Sequence, residues 1–200
     1  MKMLEKRLHS AFRSTSVRRS RDLASYGINR MQLQAAVAGG LLQRTGRGLY
    51  LLENSDEVTE KHTLVEVSQR IPKGTFCLLT ALEFHELTTQ NPSEVWVTLP
   101  PSAWRPKLDI VKVRIVHFSG RALEEGVEHH QVEGISIKVY NPAKTVADCF
   151  KFRHKIGLDI ALEALRETWR YRRATMKELE YYAQINRVAK VMRPYLETLT

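Results

Sequence analysis

The chain has 200 residues, 43% of them apolar, and a net charge of +9, which leaves room for one large domain or two small ones with a real core. No apolar run approaches the roughly 20 residues needed to cross a bilayer. The basic start, Met1 to Lys6, has no apolar segment behind it, so no secretory signal is expected and a cytoplasmic protein without a membrane partner is. Charge is uneven along the chain. Residues 1–50 carry ten basic and two acidic side chains, residues 51–150 ten and fourteen, and residues 151–200 eleven and six. A strongly basic module of about fifty residues points to a polyanion, most often nucleic acid.

In chain order, Leu4, Leu8, Ala11 and Phe12 recur at helical spacing and predict a first helix. It should fade at Ser14-Thr15-Ser16, where hydroxyls compete for backbone groups. Val17–Arg19 reads as a short extended piece. Ser20 is a plausible cap for a second helix carrying Leu23 and Ala24 and stopped at Gly27. Asn29 can cap a third helix, Arg30 to Ala38, with Leu33, Ala36 and Val37 inward and Gly39-Gly40 ending it. Two strand-like runs follow, 41–44 and 49–52, joined by Thr45-Gly46-Arg47-Gly48.

Two short helices on a glycine turn, then a glycine hairpin, make a winged helix-turn-helix. In such a unit the third helix enters the major groove, N-terminal half toward the bases. Arg30, Gln32 and Gln34 are its polar side chains away from Leu33. Arginine matches guanine and glutamine matches adenine, because each can bond two base atoms at once. Arg44 and Arg47 on the hairpin would reach phosphate or the minor groove, and Arg18, Arg19 and Arg21 would contact phosphate.

The polar run Asn54 to Glu57 suggests a boundary, giving a DNA-binding domain at 1–54 and a second domain at 55–200. In the second, helices are expected at about 59–70 and, mostly buried, over 75–90. Strands are expected at 95–99, 111–117, 127–132 and 135–140, with Val111, Val113 and Ile115 on the covered face of theirs. Helices follow at 144–151, 158–171, 176–185 and 188–199. The whole reads as α+β, a winged helix-turn-helix followed by a small sheet with C-terminal helices.

Catalytic signatures are not apparent. Ser136-Ile137-Lys138 has a strand lysine without the acid two residues before it that metal-dependent nucleases use. His129 and His130 are adjacent and would point to opposite faces of a strand, a poor chelate, so no metal or other cofactor is assigned. Cys77 and Cys149 read as buried reduced thiols. Lys144 and Asp148, four apart on a helix, suit a domain-organising ion pair. Arg166, Arg170, Arg172, Arg173 and Lys177 form a basic stripe near Trp169 and Tyr171 that could extend a DNA contact or touch RNA. The open alternatives to a repressor without catalysis are a winged-helix regulator whose second domain binds a ligand or protein, and a DNA-targeted nuclease.

The run from Ala38 to Tyr50 resembles the winged-helix end of AbiEi-family antitoxins. Leu79 to Thr88 is similar to a second segment of that family, with Thr80 in place of serine and Glu86 in place of glycine. Pro92 and Val95 to Pro100 resemble the strand that follows. Asn141 to Phe150 resembles a fourth segment, with Lys144 in place of arginine. The motifs span almost the whole chain in the family's order. The resemblance implies an autorepressor that binds inverted repeats in its own promoter. It also implies an antitoxin of a type IV (abortive infection) toxin-antitoxin system, countering a nucleotidyltransferase toxin encoded next to it without stable direct binding.

Overall fold

A computed structural model describes residues 2–13, 15, 17–46, 48–52, 61–103 and 111–199. In chain order the elements are α1 (Lys2–Ala11), β1 (Val17–Arg19), α2 (Ser20–Ala24), α3 (Arg30–Ala38), β2 (Leu42–Gly46), β3 (Leu49–Leu52) and α4 (His62–Arg70). Then come β4 (Thr75–Phe76), α5 (Leu78–Phe84), β5 (Val95–Leu99), β6 (Val113–His117), α6 (Arg121–Glu124), β7 (Val127–Val132) and β8 (Ile135–Tyr140). Five helices follow: α7 (Pro142–Lys151), α8 (Arg153–Ile156), α9 (Leu158–Arg170), α10 (Met176–Ile185) and α11 (Ala189–Leu196). The fold is mixed α+β with sheets of three and five strands. No helix among the described residues is long and apolar enough to cross a membrane. The chain divides into two units, residues 1–72 with 131–137, and residues 73–130 with 138–200.

In the first unit, β1, β3 and β2 form an antiparallel sheet in that order. Leu8, Phe12, Leu23, Ile28, Leu33, Ala36 and Leu42 pack into one apolar core with α1, α2 and α3 around it. Each large aliphatic side chain so buried contributes about 1.5–3 kcal/mol. Ser20 is the first residue of α2 and not its cap. Its N–H is taken by the Gly48 carbonyl at 2.8 Å, so β1 runs straight into the helix. Gly27, at φ +70°, ends the turn after α2, where the Gly27 and Ile28 amides return to the Ala24 and Leu23 carbonyls.

Helix α4, expected in the second domain, belongs to the first unit. Arg19 Nε donates to Gln69 Oε1 at 2.9 Å, and Arg70 Nη2 donates to the Thr45 carbonyl. Its Arg70 side chain fills the space a Cβ at Gly46 would need. The expected boundary at residues 54 and 55 lies outside the described residues.

The second unit is built on the order β6-β5-β4-β8-β7. β4 pairs antiparallel with β5 and parallel with β8, and β5 pairs parallel with β6. β7 and β8 are joined by Glu133-Gly134, both at positive φ, the geometry of a tight hairpin turn. On β6, Val113 and Ile115 are half-buried and Arg114 between them is exposed, as the alternation predicts, while Val116 on the other face is buried. Residues 75–90 are not one helix: a two-residue strand precedes α5, which stops at Phe84, and Glu86 turns left-handed at φ +59°.

Helix α7 is the centre of this unit. Residues 143–150 are all buried, among α5, α9, α10 and α11. Its start is fixed locally: Asn141 Oδ1 accepts from the Lys144 amide at 2.8 Å, and Pro142 occupies the first turn. Cys77 and Cys149 are free and buried. Burial first, and the nearby Asp148 carboxylate second, hold both thiols well above the ordinary thiol range.

Candidate nucleic-acid interface

Helix α3 is set by its own ends. Asn29 Oδ1 accepts from the Gln32 amide at 2.9 Å, and Gln32 Oε1 accepts from the Asn29 amide at 3.0 Å, a reciprocal cap. At the other end Gly40 turns left-handed, and the Gly40 and Leu41 amides bond the Val37 and Ala36 carbonyls. Between these stops, Leu33 and Ala36 are buried. Arg30, Met31, Gln34, Ala35 and Ala38 are exposed and share the opposite face.

The outward face of α3 differs from the sequence expectation at Gln32 and Met31. Arg30 and Gln34 stand on the outward face, as their spacing from Leu33 requires. Gln32 is half-buried and its amide oxygen is committed to the cap, so it is not a free base-reading group. Met31 joins the face as its largest apolar group, 78% exposed. Its position one residue after Arg30 and two before Leu33 is the signal that could have found it.

Arg44 is exposed on β2 across from Tyr50, its Nε 3.3 Å from the Gly46 carbonyl. Arg47 lies outside the described residues. Arg21 is exposed and only loosely paired with Asp22, at 3.5 Å. Arg18 and Arg19 are half-buried and engaged within the unit. Arg18 Nε donates to the Ala11 carbonyl at 2.5 Å, with its guanidinium 5.2 Å from the centre of the Tyr26 ring. Arg19 bonds Gln69, and burial holds its proton affinity below that of a free arginine, with Arg21 adding to the effect. These two hold β1 in place before they could serve phosphate.

In the second unit, Arg166, Arg170, Arg172, Arg173 and Lys177 are all exposed, on the end of α9, the turn after it and the first turns of α10. Arg170 is 3.8 Å from Glu167, a surface pair of little consequence. Trp169 packs against the core, and Tyr171 is exposed with the Arg170 guanidinium 5.5 Å from the centre of its ring.

Lys144 and Asp148 meet as their spacing requires, with Nζ 2.5 Å from Oδ1 and neither side chain exposed. Asn186 Nδ2 donates to the same oxygen at 2.7 Å. The ammonium also lies 4.2 Å from the centre of the Tyr140 ring and 4.6 Å from that of Phe118. Asp148 Oδ2 is buried without a hydrogen-bond partner among the described residues. Burial pushes the Asp148 carboxyl above the usual range, and Lys144 and then Asn186 pull it back. The pair is enclosed on all sides, which suits organising α7 better than meeting a substrate.

Neither a protein-family model nor a curated protein matches the sequence. Among solved structures, the chain is similar to the crystal structure of the RV2827C protein from Mycobacterium tuberculosis. The TM-score is 0.62 at 12% identity, over 91% of this chain and 71% of that one, a likeness of fold.

Proposed function

We propose that this chain is a DNA-binding autorepressor and antitoxin of the AbiEi type, acting in the cytoplasm without catalysis of its own. The first unit is read as a winged helix, with α3 as the reading helix and the β2–β3 hairpin as the wing. The observation that carries this is the outward face of α3: Arg30, Met31 and Gln34 exposed on a helix whose other side is anchored by Leu33 and Ala36. Arg30 suits the paired acceptors of guanine, Gln34 the adenine edge, and the Met31 and Ala35 side chains a thymine methyl. Arg21 and Arg44 supply phosphate contacts that set register without reading sequence. The order of four motifs along the chain, and the ten basic side chains in its first fifty residues, support the same reading.

Binding of the full chain to a duplex from its own promoter, followed by fluorescence anisotropy across salt concentrations, tests the DNA half. Arg30→Ala is expected to cost about 1–3 kcal/mol, roughly 5- to 150-fold, and to relax preference at one base pair. Arg21→Ala should weaken all duplexes alike and lower the salt slope by about one. Affinity unchanged by Arg30→Ala at every salt concentration would remove α3 from the groove.

The antitoxin half predicts that the chain restores growth to cells expressing the nucleotidyltransferase encoded beside it. Arg30→Ala should keep that rescue while losing promoter repression, since the family resemblance implies that the second domain, residues 55–200, does the neutralising. Growth arrest unrelieved by the wild-type chain would count against the antitoxin role.

A further inference from the structure

The second unit brings together three metal-ligand side chains that lie far apart in sequence. His85 follows the last turn of α5, its amide bonded to the Ala81 carbonyl at 3.0 Å. Glu128 and His130 lie two residues apart on β7, and so on one face of the strand. His129 between them is exposed on the other face. One ligand atom from each of His85, Glu128 and His130 lies within 4.8 Å of the other two. His130 Nε2 is already 3.1 Å from Glu128 Oε2. Ligand atoms around a tetrahedral ion with bonds of about 2.0–2.1 Å stand about 3.3 Å apart. Two of the three therefore have the required separation, and the third, within 4.8 Å of both, needs to move by at most about 1.5 Å.

The surroundings fit this use. His85 Nε2 lies 2.7 Å from the Tyr140 carbonyl, which can only accept a hydrogen bond. The proton is therefore on Nε2, and the Nδ1 lone pair is left for another partner. A carbonyl on the far nitrogen is the usual support of a metal-binding histidine. The Phe84 ring stands edge-on to both imidazoles, with centroids 5.3 Å from His85 and 4.8 Å from His130, and restricts their rotation. Glu128 is the one carboxylate of the set. All three ligand residues are half-buried, so one side of the cluster stays open.

We propose that His85, Glu128 and His130 form a binding site for a zinc-class divalent ion with its fourth position open. Two imidazoles and one carboxylate suit such an ion. Calcium and magnesium favour oxygen donors throughout.

Untagged full-length protein, freed of metal by a chelator, is titrated with Co²⁺ and followed by visible absorption. The expected result is one cobalt per chain with tetrahedral-type bands, displaced by Zn²⁺ and not by Mg²⁺. His130→Ala should weaken binding by more than about 100-fold, the upper end of the loss seen when only a supporting partner is removed. His129→Ala, one residue away on the other face, should bind as wild type does. Glu128→Gln keeps the size of the side chain and should also weaken binding, providing a readout if His130→Ala does not fold by circular dichroism. Absence of stoichiometric uptake, equal binding by His130→Ala and His129→Ala, or bands of the thiolate type would each overturn the site.

Discussion

Lys144→Met is expected to lower the unfolding free energy of the second unit by about 3–5 kcal/mol, the cost of leaving one member of a buried pair behind. Methionine fills nearly the same space, so the loss is electrostatic and not a cavity. Asp148 then keeps the Asn186 amide and the charge of Lys151 at a site with no exposed surface. The pH dependence has a definite sign. Burial already holds the Asp148 carboxyl above its unfolded value, and removing Lys144 raises it further. A carboxyl raised in the folded state favours folding at low pH, below its unfolded value, and that contribution is lost as pH rises through the folded value. The penalty of Lys144→Met should therefore be small in acid and full at neutral pH. Lys144→Met with Asp148→Leu should regain most of the loss, because an apolar replacement of a buried pair is close to neutral. Urea denaturation of both variants at acid and neutral pH checks this. A single variant within about 1 kcal/mol of wild type at pH 7 would mean the pair contributes no more than an exposed one.

Gly126→Ala is expected to cost about 2–5 kcal/mol by the same measurement, from two sources. Gly126 sits at φ +79°, where an L side chain meets the following carbonyl, worth about 1–2 kcal/mol. A Cβ there would also stand 2.8 Å from Lys144 Cβ, 2.9 Å from its Cγ and 3.2 Å from Tyr182 Cε1. The backbone cannot easily retreat, because the Gly126 carbonyl accepts from the Asn141 amide at 2.7 Å, beside the cap that starts α7. Gly40 separates the two effects. It is also left-handed, at φ +67°, but nothing lies within 4 Å of its missing Cβ. Gly40→Ala should therefore cost the backbone strain alone, about 1–2 kcal/mol. Equal losses at the two positions would show that Lys144 yields its space freely.

What could be read from the sequence was local. Asn29 and Gly39-Gly40 bracket α3 in the sequence as they do in the fold, and the cap of α7 at Asn141 and Pro142 is equally near at hand. The strands 42–46 and 49–52 are close to expectation because their turn chemistry lies between them. Asn29 with Gln32 is a legible capping pattern, so the loss of Gln32 as a base reader was also in reach. What could not be read depends on distant partners. Arg70 finds Thr45 across 25 residues and Gln69 finds Arg19 across 50, and no spacing announces either. Strand β4 is two residues long and exists because β5 and β8 flank it. His85 meets Glu128 and His130 only because α5 and β7 are brought together by the sheet. Arg18 reaches the Ala11 carbonyl of α1 from a strand whose Val17 is buried, a contact that the spacing of the arginines does not announce.

The β7–β8 hairpin has a consequence for the order in which the molecule is made. Its tip, residues 131–137, is counted with the first unit. Glu133 at that tip has no exposed side-chain surface and lies 2.8 Å from His62. Domains usually mature from the N-terminus as they leave the ribosome. Here the amino-terminal piece lacks one of its own parts until translation has passed Ile137, so it cannot be finished before much of its successor has emerged.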